Sequence, residues 1–427
     1  MDTPRSVQRT YITLILGNTL AASLIWGINT IFLLDAGLSN LEAFAANAFF
    51  TGGMMLFEVP TGIVADTVGR RMSYLLGTLT LSGSTLLYVL LWQLEAPFVA
   101  WAVVSVLIGL GFTFFSGAVE AWLVDALHAT GFDGNLESVF GRGQVVSGAA
   151  MLTDSVAGGY IAQVTSLGVP FVLRGAILVL MFAVAFRLMH DTGFTPRRGD
   201  GVVQGFRRIL GSSVEYGLRV PAVRWTMLAS PFTAGVGIYA FYALQPYLLE
   251  LYGDPKAYGI AGLVAAIVAG AQIVGGFVAP RLRRLFERRT SVLLVEIGAS
   301  AGALALIGLV DSFAAVLALI VVWALLSAAS TPIRQAYMNG LIPSQQRATI
   351  LSFDSMLGSS GGVVVQPVLG RAADAWGYAW SYVLGAGISV LALPFVVLAR
   401  RQDAPADTAT GMPAVAPEPA VARSVPD

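Results

Sequence analysis

Residues 57–71 read FEVPTGIVADTVGRR. The stretch begins inside a long apolar run and leaves it through Asp66, Gly69 and two arginines, just before the next apolar run begins. Gly62 carries no side chain and so permits two helices to approach closely, and Asp66 is suited to accept hydrogen bonds from the free amides of a helix N-terminus. Charge concentrated at the mouth of a hydrophobic segment predicts a working loop. The alternative is a basic turn that only orients two helices.

The composition around this stretch is that of a polytopic membrane protein. Of 427 residues, 56% are hydrophobic and only 12% charged, and the mean hydropathy is +0.74, whereas soluble proteins carry about a quarter charged residues. A net charge of zero gives no indication of nucleic-acid binding. Without cysteine, the chain has neither disulfides nor thiolate metal sites. The single lysine, Lys256, is not in a phosphate-binding loop. We therefore expect no enzyme activity, no cofactor and no metal.

A helix needs about 20 apolar residues to cross the hydrocarbon of a bilayer. Twelve segments meet that measure, near 10–34, 41–65, 73–92, 98–127, 137–163, 170–189, 223–252, 258–280, 291–310, 313–338, 347–370 and 378–399. With the N-terminus inside, all but Arg174, Lys256 and Arg371 of the 25 basic residues fall on the cytoplasmic side. Because positive charge marks the inner side, we expect a multi-pass protein of the cytoplasmic membrane with both termini cytoplasmic.

The chain divides into four predicted parts. Residues 1–189 and 223–402 each hold six segments, and 190–222 is a linker whose apolar residues favour an amphipathic helix on the inner leaflet. Residues 403–427 lack helical periodicity and are predicted to be disordered. The two halves also repeat: Gly62-Ile-Val-Ala-Asp66 recurs 214 residues later as Gly276-Phe-Val-Ala-Pro280.

The loop matches every defining position of Gly-x-x-x-Asp-x-x-Gly-Arg-Arg/Lys, and so resembles the signature loop of the major facilitator superfamily. The resemblance implies an all-α membrane protein of twelve transmembrane helices in two pseudo-symmetric six-helix halves. It also implies a secondary transporter that moves a small molecule by alternating access. The resemblance also implies that a gate loop is formed by Gly62, Asp66, Gly69, Arg70 and Arg71. The stretch from residue 57 to residue 125 is similar to prokaryotic efflux proteins and permeases.

Further charges gather at the predicted cytoplasmic mouth. We expect them to form ion pairs that close the inner gate, and the alternative is a set of solvated helix caps. The set comprises Glu58, Glu120, Asp125, Glu137, Arg142, Arg334 and Arg347.

Acidic residues at membrane depth are candidates for proton coupling, because charge is costly there. Asp154 is the most central, about 17 residues into the fifth predicted segment. Glu58 and Asp354 are the reserve candidates, and Glu296 ranks below them. The alternative for each is a hydrogen-bonded packing residue.

Polar and aromatic residues on predicted helix faces are candidates for the substrate cavity. An asparagine facing lipid would leave its amide unsatisfied, which favours a wet inner face. The candidates are Asn18, Trp26, Asn29, Asn47, Tyr239, Tyr242, Gln245, Gln272 and Gln335.

Aromatic walls with few charges suit an amphipathic or neutral cargo. We expect a monomer that exports such a compound, with protons as a candidate coupling ion. The alternatives are an importer or uniporter of a sugar or other metabolite, and a membrane sensor or scaffold that transports nothing. The drug–proton antiporters carry Arg-x-x-Gln-Gly-x-Gly in helix 4, whereas this chain has Ser105 and Ile108 before Gly109 and Gly111. That departure argues against drug antiport.

Overall fold

A computed structural model of the protein describes residues 3–196, 211, 218–342 and 347–408. Within those ranges the chain is helical and has no strand. The helices are α1 (Pro4–Trp26), α2 (Asn29–Asp35), α3 (Asn40–Thr67), α4 (Arg70–Gln93), α5 (Phe98–Thr113), α6 (Ala118–Ala129), α7 (Leu136–Val164), α8 (Gly168–Leu188), α9 (Pro221–Tyr252), α10 (Tyr258–Arg284), α11 (Arg289–Leu309), α12 (Phe313–Leu341), α13 (Arg347–Val390), α14 (Leu393–Arg400) and α15 (Pro405–Thr408).

Local sequence explains where several helices begin and end. Ser39 and Glu42 form a capping box at the start of α3, in which each side chain bonds the other residue's backbone amide. Proline at the first position of α9 needs no amide partner. Gly253 ends the same helix in the left-handed conformation that a residue without Cβ adopts freely.

Two predicted segments contain breaks, and a third break separates predicted segments 11 and 12. The first bends by 47° between α1 and α2, at Gly27 and Ile28. The fourth is interrupted between α5 and α6, where Gly117 has a φ of +68°. Helix α13 contains Gly377, whose φ of 82° and ψ of 167° are not helical, in the gap between predicted segments 11 and 12. The breaks at Gly117 and Gly377 lie at glycines because their positive φ angles would strain other residues, whereas Gly27 has ordinary right-handed helical angles.

In the described part of the chain, ten helices are long and apolar enough to cross a membrane, or eleven if α1 and α2 count as one bent span. Large apolar side chains face outward from the bundle, for example Leu79, Val103 and Phe277. Such a surface would be unfavourable in water and is suited to lipid. The prediction of a multi-pass membrane protein is confirmed.

The helices pack as two halves. Helices α1–α8 contact one another, as do α9–α15, and the main contacts between halves join α3 to α13 and α7 to α10. The latter pair approaches at glycine: a Cβ on Gly262 would lie 2.4 Å from the carbonyl oxygen of Ser155, and a Cβ on Gly159 would lie 2.4 Å from the carbonyl oxygen of Tyr258. These backbones meet only because side chains are missing.

The bundle has two distinct ends. We call the end formed by residues 66–71, 186–194 and 281–289 the arginine-rich end. The other end, formed by residues 36–40, 94–97, 253–258 and 374–378, is the opposite end.

Helix α15 lies within the predicted disordered tail but packs against the start of α11. The carboxylate of Asp407 is buried and accepts hydrogen bonds from the amide and the hydroxyl of Thr290, both at 2.8 Å. Arg288 pairs with Asp403 at 2.6 Å, and Arg289 donates to the carbonyl of Ala406. Burial of a carboxylate at a helix N-terminus explains why order extends past residue 402. Residues 409–427 and most of the predicted amphipathic linker helix lie outside the described residues.

Candidate functional site

A cavity of about 770 Å³ lies between the halves. The first half contributes Trp26, Phe50, Thr51, Met54 and Met151 to its wall, and the second half contributes the remainder from α9 to α14. Its walls mix aromatic, apolar and hydroxyl side chains, which suits a molecule with both polar and apolar parts.

A second pocket, of about 240 Å³, lies inside the first half. It shares Trp26 and Met151 with the large cavity, so the two spaces adjoin. Asn18 and Arg174 are among its polar lining residues. The site therefore consists of a wide cavity with a polar side pocket.

Five of the predicted cavity residues line these spaces: Asn18, Trp26, Tyr242, Gln272 and Gln335. The other four bond elsewhere in this conformation. Asn29 donates to Asn47 at 2.9 Å, and Tyr239 donates to Ser381 at 2.6 Å. Buried polar groups satisfy each other in this way when no water reaches them.

Gln245, the remaining candidate, joins the two halves. Its side chain accepts from the amide of Thr30 at 3.0 Å and donates to the carbonyl of Trp26 at 2.6 Å. Asp374 makes a similar connection, because its two oxygens accept from the amides of Asn40 and Leu41, each at 2.9 Å. Those amides are the first two of α3, where a carboxylate is favoured by the helix dipole.

All described hydrogen bonds between halves lie at the opposite end or at mid-depth. Besides those above, they join Gln163 to Gly259, Thr51 to Gln366, and Asn40 to Tyr378. A buried apolar cluster also crosses between halves there, with Ile28 and Leu38 against Leu249 and Ala261. Hydrogen bonds and apolar contacts thus hold the two halves together at the opposite end. The cavity extends from there toward the arginine-rich end.

At the arginine-rich end the described polar contacts stay within each half. The predicted gate loop is bound to the residues after α8: Asp191 accepts from the amide of Arg71 at 2.9 Å. The guanidinium of Arg71 donates to the carbonyl of Phe186 at 2.5 Å, and that of Arg70 lies 5.8 Å from the ring of Phe194.

Gly69 is explained by this geometry. Its φ of +127° strains any other residue, and an added Cβ would lie 2.4 Å from a carboxylate oxygen of Asp191. The motif glycine therefore makes room for the acid that caps α4.

Two expectations about this loop are wrong for this conformation. A Cβ on Gly62 would meet nothing within 4 Å, so no close helix approach depends on it. Asp66 pairs with Arg70, and the helix N-terminus is capped by Asp191 instead. Asp66 is in the last turn of α3, where its side chain is one turn from Arg70.

The predicted gate charges do not form one cluster among the described side chains. Arg334 binds both oxygens of Asp354, at 2.7 and 2.8 Å, within the second half. Arg347 donates to the carbonyl of Asn339 at 3.2 Å, and Glu58 accepts from Ser116 at 2.7 Å. The other members are Glu120 and Arg142, which are exposed, Asp125, which is half-buried, and Glu137, whose side chain lies outside the described residues. Among the described side chains, no ion pair joins the two halves at this end.

The candidate coupling acids differ in their surroundings. Asp154 in α7 is half-buried and accepts from Ser23 at 3.2 Å. Asp354 is 7% exposed and also accepts from Ser230 at 3.0 Å, so its charge is held by several donors. Glu296 lines the large cavity and accepts from Ser300 at 2.9 Å. No described cation pairs with Asp154 or Glu296.

Sequence reasoning missed Asp191 and misplaced Arg174. Asp191 is 120 residues from the loop it caps, and no spacing rule connects them. Arg174 was assigned to the outer side, but its side chain is buried inside the first half, at 2% exposure. Its position within an apolar segment was the available signal, since an arginine there is costly unless it faces the interior.

Comparison with known proteins agrees with this architecture. The Major Facilitator Superfamily model matches residues 11–307 and 258–424. The uncharacterized MFS-type transporter YxaM of Bacillus subtilis is 24% identical over 385 residues, covering 86% of this chain and 89% of YxaM.

Solved structures share the fold at low identity. The nucleoside transporter NupG superposes with a TM-score of 0.73 at 10% identity, over 92% of this chain and 98% of NupG. A bacterial homolog of the human lysosomal transporter Spinster, in an inward-facing and unoccupied conformation, superposes with a TM-score of 0.71 at 16% identity. The match covers 96% of this chain and 99% of that protein. The POT family transporter PepTSo superposes with a TM-score of 0.71 at 13% identity, over 94% of this chain and 99% of PepTSo. The chain is a member of the Major Facilitator Superfamily, a transporter and not an enzyme.

Proposed function

We propose that this transporter exports a small amphipathic molecule from the cytoplasm by rocking its two halves about the central cavity. The carrying observation is the asymmetry of the contacts between halves. Hydrogen bonds between the two halves are present at the opposite end, and none is described at the arginine-rich end. A cavity accessible from one end is what alternating access requires of one of its states.

The arginine-rich end is proposed to be cytoplasmic, because basic residues concentrate on the inner side of a membrane. The conformation is then inward-facing, as in the Spinster homolog. Counting the stretches on either side of Gly377 as separate crossings, and α1 with α2 as one, gives twelve spans. We further propose a monomer in the cytoplasmic membrane, with helices α1–α8 and α9–α14 as the moving halves.

The wall chemistry supports an amphipathic cargo. Trp26, Phe241, Tyr242 and Trp323 line the large cavity together with hydroxyl and amide side chains. Aromatic faces bind apolar groups, and the few polar atoms fix orientation. An outward direction is supported by the similarity of the gate stretch to efflux-type members.

Proton coupling is proposed to reside at Asp154. Its hydrogen bond with Ser23 ties α7 to α1, both of which border the polar pocket, and no described cation holds its charge. Protonation would remove a charge that is costly to move through the membrane interior.

The test is flux in proteoliposomes, with cargo first identified by thermal stabilisation in a screen of drugs, sugars and amino acids. Asp154→Asn should abolish transport driven by a pH gradient and leave exchange without a gradient largely intact. Asp133→Asn is the matched control, because it makes the same change at an exposed acid of the first half and should be dispensable for driven flux.

Intact pH-driven flux in a folded Asp154→Asn protein would exclude this coupling site. Vesicles of both orientations separate export from import. A protein that neither exchanges nor transports any stabilising compound would contradict the proposed transport itself.

A further inference from the structure

Arg174 is a buried cation that the proposed mechanism does not use. It is the seventh residue of α8, about 9 Å along the helix from its start. Its side chain is 2% exposed, and it lines the polar pocket of about 240 Å³. An arginine buried at membrane depth is expensive unless something compensates its charge.

The structure provides little compensation. Nε is buried without a hydrogen-bond partner, and none of the described ion pairs or hydrogen bonds involves the guanidinium. Its guanidinium carbon lies 5.5 Å from the centre of the Phe112 ring, a cation–π contact that compensates only part of the cost of burying the charge.

The other polar side chains that line the pocket are uncharged, and one of them, Ser23, donates to the carboxylate of Asp154, which is not itself a lining residue. The carbonyl oxygen of Asn18 accepts from Tyr74 at 2.7 Å, which leaves its amide group available to the pocket. The hydroxyls of Thr19 and Ser147 bond each other at 2.9 Å. Arg174 is the one cation among the described lining residues. A lining with a single cation and no acid is complementary to a group with one negative charge.

We propose that Arg174 binds the carboxylate of the transported molecule, so that the cargo is an amphipathic monocarboxylate. The planar guanidinium binds the two oxygens of a carboxylate with parallel hydrogen bonds. The apolar part extends past Trp26 into the large cavity, because both spaces share Trp26 and Met151. The inference deepens the proposed function and rests on it.

The experiment uses two isosteric probes, naphthalene-2-carboxylate and naphthalene-2-carboxamide, on the purified full chain at neutral pH. Ligands that bind the folded state raise the melting temperature. The carboxylate should stabilise the wild type, and the amide should not. Arg174→Gln should weaken carboxylate binding by about tenfold or more, since a charge-assisted bidentate contact is lost. The affinity of Arg174→Lys for the carboxylate should lie between those of the wild type and Arg174→Gln.

Arg187→Gln is the matched control, because it removes an exposed arginine from the same helix and should leave binding unchanged. A short-chain anionic lipid, dihexanoyl phosphatidylglycerol, tests the other source of anions. If that lipid raises the melting temperature of the wild type but not of Arg174→Gln, the proposal is overturned in favour of a lipid site. If Arg174→Gln does not fold, the Arg174→Lys protein and the wild-type probe pair decide the question.

Equal stabilisation by carboxylate and amide, or undiminished binding to folded Arg174→Gln, would overturn the proposal. So would the absence of any carboxylate binding. In either case, flux of another compound in vesicles would leave the proposed transport standing. Carboxylate binding that depends on Arg174, without flux or exchange, would instead support the binding site and contradict transport.

Discussion

The two ends of the bundle are held together by different means. At the opposite end, Asp374 and Gln245 bond from one half to the other, and glycine backbones of α7 and α10 touch. At the arginine-rich end, Asp191, Asp354 and Asp407 bond within their own halves. Contacts between halves must break when the cavity changes sides, whereas contacts within a half move with it. The opposite end therefore determines which state is populated, and the arginine-rich end keeps each half rigid.

The largest effect is expected from Gly262→Ala, which places a Cβ against the backbone of Ser155 in the other half. Overpacking costs about 2 kcal/mol, which corresponds to a roughly thirtyfold shift in population toward the state open at the opposite end. The chain has no cysteine, so spin labels at Leu94 and Leu309 report that end without background.

Gly276→Ala is the control, because the same helix has open space at that position. A distance distribution that is identical in Gly262→Ala and wild type would contradict the role given to the opposite end.

Gly69→Ala tests the rigidity of the arginine-rich end. Its φ of +127° and the nearby Asp191 should make the substitution cost about 1–3 kcal/mol. We expect a lower melting temperature and faster hydrogen exchange at the amide of Arg71. Gly62→Ala, within α3 and facing open space, should change stability in the other direction by up to about 1 kcal/mol, as alanine favours helix. Equal effects of the two substitutions would refute this explanation of the motif glycine.

Asp374→Asn should weaken the opposite end without adding bulk. An asparagine keeps one acceptor oxygen and loses the charge, so we expect a loss of about 1–2 kcal/mol from the contact with the start of α3. The distance between spin labels at Leu94 and Leu309 should again increase, but by less than in Gly262→Ala. Asp254→Asn is the comparison, because Asp254 bonds the amide of Lys256 in its own loop. If both variants behave alike, the cross-half bond contributes nothing.

Asp66→Asn should have the smallest effect. The Asp66–Arg70 pair is partly exposed, with side-chain exposures of 45% and 19%, and such pairs contribute less than about 1 kcal/mol. Labels at Val68 and Leu285, both exposed and in different halves, should show at most a slight change. High salt should reduce the difference further. A large rearrangement would mean that Asp66 bonds across the halves in the other state.

The fold could be predicted from sequence because its signals are local. Twenty-residue apolar runs predicted the helices, and the breaks lie at glycines such as Gly117 and Gly377. The gate motif identified the family, which the match across the chain confirms.

The site was less predictable, because its contacts join residues far apart in sequence. Helical periodicity found Trp26 and Tyr242 but could not distinguish a cavity wall from the cross-half contact made by Gln245. Basic-residue counting assigned Arg174 to the outer side, since a position near a predicted helix end does not reveal the direction of a side chain. The cap of α4 by Asp191 required knowing that α8 ends beside α4.

The short helix α15 has a practical consequence for handling the protein. Asp407 caps α11, and the same helix carries Glu296 and Ser300 in the cavity wall. Trimming the C-terminus before residue 403 would leave the amide and hydroxyl of Thr290 without their acceptor and would disturb a wall of the cavity. Affinity tags and fluorescent reporters should therefore be attached beyond Thr408, and loss of activity in a shorter version would reflect a damaged second half.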